Sequence, residues 1–185
     1  MKGEKQRVKD YPITERQAQE MFEAHSSYIY GIALMITKQR ALADDVTQET
    51  FLRAFAKYHL YDSSRPLRPW LYRIAVNMSR NLLRRKVWIR LLAGVPREET
   101  EHSAENFALQ NENRLELWNA VSGLSVKLRE VITLHYYAEL PLPETAEVLG
   151  IPLGTCKSRL HAALRKLRGC SELEPGLLTM KEGIK

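Results

Sequence analysis

The chain has 185 residues, 44% of them hydrophobic, and a formal net charge of +6. That length holds one domain or two small ones, and that apolar content supplies a core and argues against wholesale disorder. No apolar run approaches the roughly 20 residues that span a bilayer, the MKGEKQRVKD start has no apolar segment behind its charges, and two cysteines make no disulfide framework. The expectation is a reduced, cytoplasmic protein that is not itself a membrane protein.

Helical periodicity runs through most of the chain, and no stretch alternates long enough to argue for a strand. Thr14 followed by Gln17 is a capping-box start. Behind it Ala18, Met21, Phe22, Ile29, Ile32, Ala33 and Ile36 mark one face of a long first helix. A second helix is predicted from about Ala41 to Tyr58, with Ala43, Phe51, Ala54, Phe55 and Tyr58 on its apolar side. YDSSRPLRP, residues 61 to 69, reads as a loop. A third helix is predicted from near Pro69, a residue favoured in a first turn, to about Lys86. Residues 94–111 are mostly polar without clear period and read as a linker. Helices resume at about 112–123, 126–138, 142–149 and 153–168, and residues 171–185 read as a tail. The fold class is all-α, with two small helical domains joined by an acidic linker.

Charge is spread unevenly. Residues 1–95 hold 17 Lys/Arg and 9 Asp/Glu, a net of +8, and the remainder holds 11 and 13. Residues 65–90 carry eight Lys/Arg and no acid; residues 153–170 carry five and no acid; between them, residues 97–116 carry six acids. Two acid-free basic blocks point to two contacts with a polyanion, although either block alone is equally a solvated helix face.

The second block contains GIPLGTCKSRLHAALRKLR, residues 150–168. Its Gly150, Gly154, Lys157 and Ser158 approach a phosphate-binding loop, but Lys157 stands three residues past the glycine and no strand precedes it. As a helix it works better. Cys156, Leu160, Ala163, Leu164 and Leu167 form one apolar stripe, so Cys156 reads as a small core residue. Thr155, Lys157, Ser158, Arg159, His161, Arg165 and Lys166 lie opposite. PETAEVLG upstream supplies a short helix with Pro143 in its first turn and Gly150 as its stop. Two helices around a Gly-Ile-Pro turn make a helix-turn-helix, whose second helix presents its N-terminal residues to base edges. An ordinary α-hairpin with a solvated basic face is the alternative.

On the third helix Leu71, Ile74, Ala75, Met78 and Leu82 form the apolar stripe, and Arg73, Asn77, Arg80, Asn81 and Arg84 form a second one. Trp70 stands at its start, after Arg65 and Arg68. Arginines hold phosphates, asparagines read base edges and an aromatic stacks on an unpaired base, a set suited to opened DNA; a core Trp70 beside a merely solvated stripe is the alternative. On the second helix Asp45, Gln48, Glu49 and Leu52 share a face, which is either a protein docking surface or plain solvated helix. The five histidines show no ligand spacing with each other or with the cysteines, so no catalytic group, metal or cofactor is expected.

ADDVTQETFLRAFAKY, RPWLYRIAVNMSRNLLRRK and LPLPETAEVLGIPLGTCKSRLHAALRKLR resemble, in this order, segments of the extracytoplasmic-function (group IV) sigma factors, over roughly residues 15 to 170. The resemblance implies a region 2-like domain (1–93), a linker (94–111), a region 4-like helix-turn-helix domain (112–170) and a tail. It implies that Asp45, Gln48, Glu49 and Leu52 dock on the β′ coiled coil of core RNA polymerase. It implies that Arg65, Arg68, Trp70, Arg73, Asn77, Arg80, Asn81 and Arg84 capture the opened −10 strand of promoter DNA, and that the second domain, with the β flap as its polymerase partner, reads the −35 element. A membrane-anchored anti-sigma factor is the expected regulator, and a stress or envelope regulon the expected target. The chain departs from the family pattern at Thr47 and Thr145, usually apolar, at Cys156, usually valine, at Pro141, where a capping serine is common, and at Ala162 and Ala163, where one more basic residue is frequent. A free-standing helix-turn-helix repressor is the rival from another class; it needs a ligand pocket or a dimer face that residues 14–90 do not clearly offer.

Overall fold

The computed structural model describes residues 13–94, 118 and 120–169. Among them there is no strand. The expected linker beyond Gly94, most of the helix expected at 112–123 and the tail lie outside the described residues.

Helix α1, Glu15–Thr37, begins with the capping box read from the sequence: the Gln17 amide donates to Thr14 Oγ1 at 3.3 Å and the Thr14 amide donates to Gln17 Oε1 at 3.1 Å. Such a cap is worth about 1 kcal/mol. The helix stops at Lys38, which takes the left-handed conformation (φ 65°). Helix α2, Arg40–Ala56, ends before the expected Tyr58, and a short 3₁₀ turn, Tyr58–Leu60, follows. Helix α3, Leu67–Ala93, starts earlier and ends later than expected. Pro69 does lie in its first turn, where a missing N–H costs little. No breaker stands between Lys86 and Gly94, so the helix continues until Gly94 turns left-handed (φ 61°). Its last turns lie outside the packed bundle: Trp88, Leu91 and Leu92 are exposed. Ile29, Ile32, Ile36, Val46, Leu71 and Val76 are buried where α1, α2 and α3 meet, each worth about 1.5–3 kcal/mol. Phe22, on the apolar stripe but half-exposed, closes the edge of this core by an edge-on contact with Phe51, ring centres 4.9 Å apart.

In the second half Trp118 is helical and buried, and α4 spans Val126–Ile132. The helix expected to run to 138 widens into a π-turn at Thr133–Tyr137, closed by the Ala138 amide donating to the Thr133 carbonyl at 2.9 Å. The wider turn lays Tyr137 against α1 at Gly31, where any Cβ would collide with the tyrosine ring. Helix α5, Leu142–Leu149, has Pro143 in its first turn and Gly150 (φ 66°) at its end. Helix α6, Leu153–Gly169, buries Cys156, Leu160, Ala163 and Leu167. The expected apolar stripe is therefore the packed one, apart from Leu164, which is half-buried.

The odd residues are accommodated locally. Thr47 and Thr145 satisfy their hydroxyls on backbone carbonyls, Ala43 at 2.7 Å and Leu140 at 3.3 Å. Pro141 caps α5 without a side-chain bond. Cys156 is fully buried, and burial pushes its thiol pKa up, so it is a neutral packing group. Cys156→Val is expected to change stability by less than about 1.5 kcal/mol. Cys156→Ser strands a hydroxyl in an apolar site and should cost about 1–3 kcal/mol. Urea denaturation followed by circular dichroism checks both.

Candidate nucleic-acid interface

Three surfaces carry the residues singled out from sequence. On α2, Asp45, Gln48, Glu49 and Leu52 are all exposed, opposite the buried Ala43, Val46, Phe51 and Ala54. Glu49 makes one loose pair with Arg53 at 3.6 Å, both side chains about half exposed. Leu52, 43% exposed, adds an apolar spot to this acidic face.

On α6, Lys157, Ser158, His161, Arg165 and Lys166 are exposed, whereas Thr155 and Arg159 are half-buried. Ser158 Oγ donates back to the Gly154 carbonyl at 2.9 Å, which locates the hydroxyl on the first turn. The turn before α6 is closed by the Ile151 amide on the Ala146 carbonyl at 3.0 Å, and the Cys156 amide bonds the Pro152 carbonyl at 3.0 Å. These bonds set the two helices of the motif against each other and leave the first turn of α6 facing outward.

The third surface starts in the loop before α3. Asp62 accepts from the Ser64 amide at 3.0 Å and hydroxyl at 2.7 Å, and these bonds hold its carboxyl pKa below the usual range. Tyr61 packs on Trp70, ring centres 5.3 Å apart, and its hydroxyl donates to the Arg65 carbonyl. Trp70 is half-buried, neither core nor free, and lines a cleft of about 450 Å³ with Arg65 and Arg73. Arg68 turns the other way, its guanidinium 5.6 Å from the centre of the Tyr28 ring on α1. Asn77, Arg80 and Arg84 line a second cleft of about 660 Å³, into which Arg159 of α6 also reaches. Arg84 donates to Asn81 at 2.6 Å, so that pair is tied within α3.

The far walls of both clefts belong to the second half of the chain, and each presents a carboxylate: Glu130 beside Lys127 and Arg159 in the larger cleft, Glu144 and Glu147 in the smaller. Arg80 grips Glu130 of α4 through two bonds, 2.7 and 2.8 Å, and reaches the Leu149 carbonyl at 3.3 Å. The hydrogen bonds to Glu130 raise the Arg80 pKa, and the Glu130 side chain is only 2% exposed. Arg73 donates to the Glu147 carbonyl at 2.9 Å and to its carboxylate at 3.4 Å, and Arg65 meets the same carboxylate at 3.0 Å. Beside Glu130, Arg129 is buried and donates to the carbonyls of Leu124 (2.9 Å), Ser122 (3.3 Å) and, across the seam, Ile36 (2.8 Å). Burial pushes Arg129 down to about 10, so it stays charged at neutral pH. Lys38 adds a bond to the Ser122 carbonyl at 2.9 Å.

Sequence reasoning placed Arg73 and Arg80 on one stripe of the third helix and Arg65 in the loop before it; in the structure Arg65 and Arg73 share Glu147 and Arg80 holds Glu130. It missed what they touch. Glu130, Glu147 and Arg129 carry no motif. The one available signal is Arg129-Glu130 inside an apolar run, Leu128 to Ile132: neighbouring helical side chains diverge, so each of these charges needs a distant partner once buried.

No group of three or more His, Cys, Asp or Glu among the described residues is placed to hold a metal, and no described helix is long and apolar enough to cross a membrane. Two family models match in order: Sigma-70 region 2 over residues 21–89 and Sigma-70 region 4 over residues 114–167. The ECF RNA polymerase sigma factor SigL of Mycobacterium tuberculosis is 36% identical over 154 residues, covering 80% of this chain and 85% of the relative. SigM of Bacillus subtilis, another ECF RNA polymerase sigma factor, is 30% identical over 150 residues, covering 80% and 91%. Among solved structures, the sigma factor RpoE in complex with the anti-sigma factor NepR from Bartonella quintana superposes with a TM-score of 0.71 at 23% identity, covering 82% of this chain and 94% of that one. CnrH in complex with the cytosolic domain of CnrY gives a TM-score of 0.65 at 25% identity, covering 85% and 88%. With a region 2 bundle followed by a region 4 helix-turn-helix, and with relatives matched over four fifths of its length, the chain belongs to the ECF sigma factors of RNA polymerase.

Proposed function

We propose that this sigma factor joins core RNA polymerase through α2, captures the opened −10 strand on α3, and reads the −35 element with the first turn of α6. The observation that carries the reading is the pairing on one chain of two separate basic surfaces with different chemistry. The α3 face joins arginine, asparagine and a half-buried tryptophan beside open clefts, which suits unpaired bases. The α6 face presents exposed Lys157 and Ser158 at a helix start, which suits base edges in a groove. The acidic α2 face carries the wrong sign for DNA and the right one for a basic protein partner. The domain division is read as 1–93, 94–111, 112–170 and 171–185. The protein acts in the cytoplasm as an initiation factor with no catalytic chemistry of its own. Two of the structural relatives are complexes with an anti-sigma factor or with a partner's cytosolic domain, and they support control of this chain by an anti-sigma factor; its anchoring in the membrane and a stress or envelope regulon are the further parts of this reading.

Two experiments test it. In run-off transcription with core polymerase and genomic DNA, the wild type should give discrete start sites. The double substitution Asp45→Lys, Glu49→Lys places like charge on the docking partner and should abolish both co-purification with core and run-off product. Helicity should survive, because both positions are exposed. Undiminished co-purification of the folded double variant contradicts the docking assignment.

A promoter library randomised at the −35 element separates base reading from phosphate holding on α6. Lys157→Ala should change which sequences are preferred, with a discrimination loss of about 1–3 kcal/mol per lost base contact. Lys166→Ala, on an exposed later turn, should weaken all sequences alike and lower the salt slope by about one unit. Identical sequence rankings for the two variants contradict base reading by the first turn.

A further inference from the structure

We infer that the protruding end of α3, residues 84–93, docks this chain on a membrane surface rich in anionic phospholipid. Its apolar tip enters the interface, and the cations behind and beside the tip hold headgroup phosphates. No membrane-spanning segment is needed for such an attachment.

Val87, Trp88, Ile89, Leu91 and Leu92 are all exposed, from 50% at Val87 to 83% at Leu92. The other exposed large apolar residues among the described ones stand singly along the chain. Single ones are ordinary on a protein surface, whereas a contiguous patch marks an interaction site. Val87 and Leu91, and Trp88 and Leu92, are four residues apart, so each pair shares a face of the helix. Arg84 and Arg85 lie one turn back on the same side and form a collar between the tip and the bundle. Lys86 and Arg90, also four apart, take the opposite side. Lys86 Nζ donates to Gln39 Oε1 at 2.7 Å, which ties the root of the tip to the start of α2. Arg85 and Arg90 make no side-chain hydrogen bond or ion pair among the described residues, so their charges are available to an outside partner.

A lipid surface satisfies both parts of this segment at once. A nucleic acid would use the cations but leave five large apolar side chains in water. A second copy would cover the apolar tip but bring two sets of like charge together. Helices that lie in a membrane interface carry tryptophan and aliphatic side chains on one face and Lys or Arg on the other. Tryptophan settles at headgroup level, and long basic side chains lay their stems along apolar surface while their heads reach phosphate. Residues 65–93 contain no Asp or Glu, so nothing on this helix repels a negative surface. The attraction is electrostatic as well as apolar, so salt weakens it.

The test floats the full chain with vesicles of phosphatidylcholine alone and of phosphatidylcholine mixed with phosphatidylglycerol. The wild type should float with the mixed vesicles, stay behind with the neutral ones, and be released by salt. Trp88→Ser with Leu92→Ser leaves the charge unchanged, and Arg85→Gln with Arg90→Gln leaves the apolar tip intact. Each pair should weaken partition onto the mixed vesicles by about tenfold or more. Trp88, Leu92 and Arg85 are exposed, so helicity should survive, and the two pairs cover each other if one fails to fold. Brominated acyl chains should quench tryptophan emission in the wild type but not in Trp88→Phe. Undiminished partition of the folded serine pair overturns the inference, because the general basic charge of the chain then suffices. Quenching that persists in Trp88→Phe places the contact elsewhere and also overturns it. A dimer abolished by the serine pair, without vesicle binding by the wild type, gives the tip to a second copy. Binding of random duplex DNA that the serine pair loses while vesicle binding stays gives it to nucleic acid.

Discussion

Glu130 is a carboxylate with almost no access to water, and the way α4 and α5 meet α3 turns on the need to pair it. Burying an unpaired charge is prohibitive, and truncating one member of a buried pair costs about 3–5 kcal/mol. Arg80 meets that need from α3, and in doing so it brings α4 and α5 onto the polar face of α3. Arg73, two turns before Arg80, and Arg65, in the preceding loop, then fall on Glu147.

This arrangement gives the arginines of α3 a structural role, held on carboxylates and carbonyls of the second half. Arginine is suited to it because its planar fork meets a carboxylate with two parallel bonds, which lysine does not do. The acidic face of α2 stands apart from this seam, since its residues lie on the opposite side of that helix from the buried Ala43, Val46 and Ala54.

Local signals were read correctly where a local cause sets the structure. The Thr14–Gln17 capping box starts α1, Gly150 ends α5, and the stripe from Cys156 to Leu167 is the packed face of α6. The end of α3 was misplaced because residues 87–93 keep helix-forming composition while exposing apolar side chains, so the amphipathic pattern fades before the helix does. The π-turn at Thr133–Tyr137 was invisible because it serves a tertiary contact with Gly31 on α1, about one hundred residues away in sequence. The carboxylates on the far walls of the clefts were missed for the same reason. Glu147 looks like any solvated helix residue until Arg65 and Arg73 are placed beside it. Arg73, Asn77 and Arg80 were recognised as one face, yet their partners lie in the other half of the chain.

The central claim is that the Arg80–Glu130 pair sets how the two halves meet. Spin labels at two exposed positions, Ala56 on α2 and Pro143 on α5, in a Cys170→Ser background, measure the separation of the halves by pulsed electron paramagnetic resonance. The account predicts one narrow distance in the free chain and a broad, longer distribution in folded Arg80→Ala. A distance that stays narrow and unchanged in folded Arg80→Ala would contradict it.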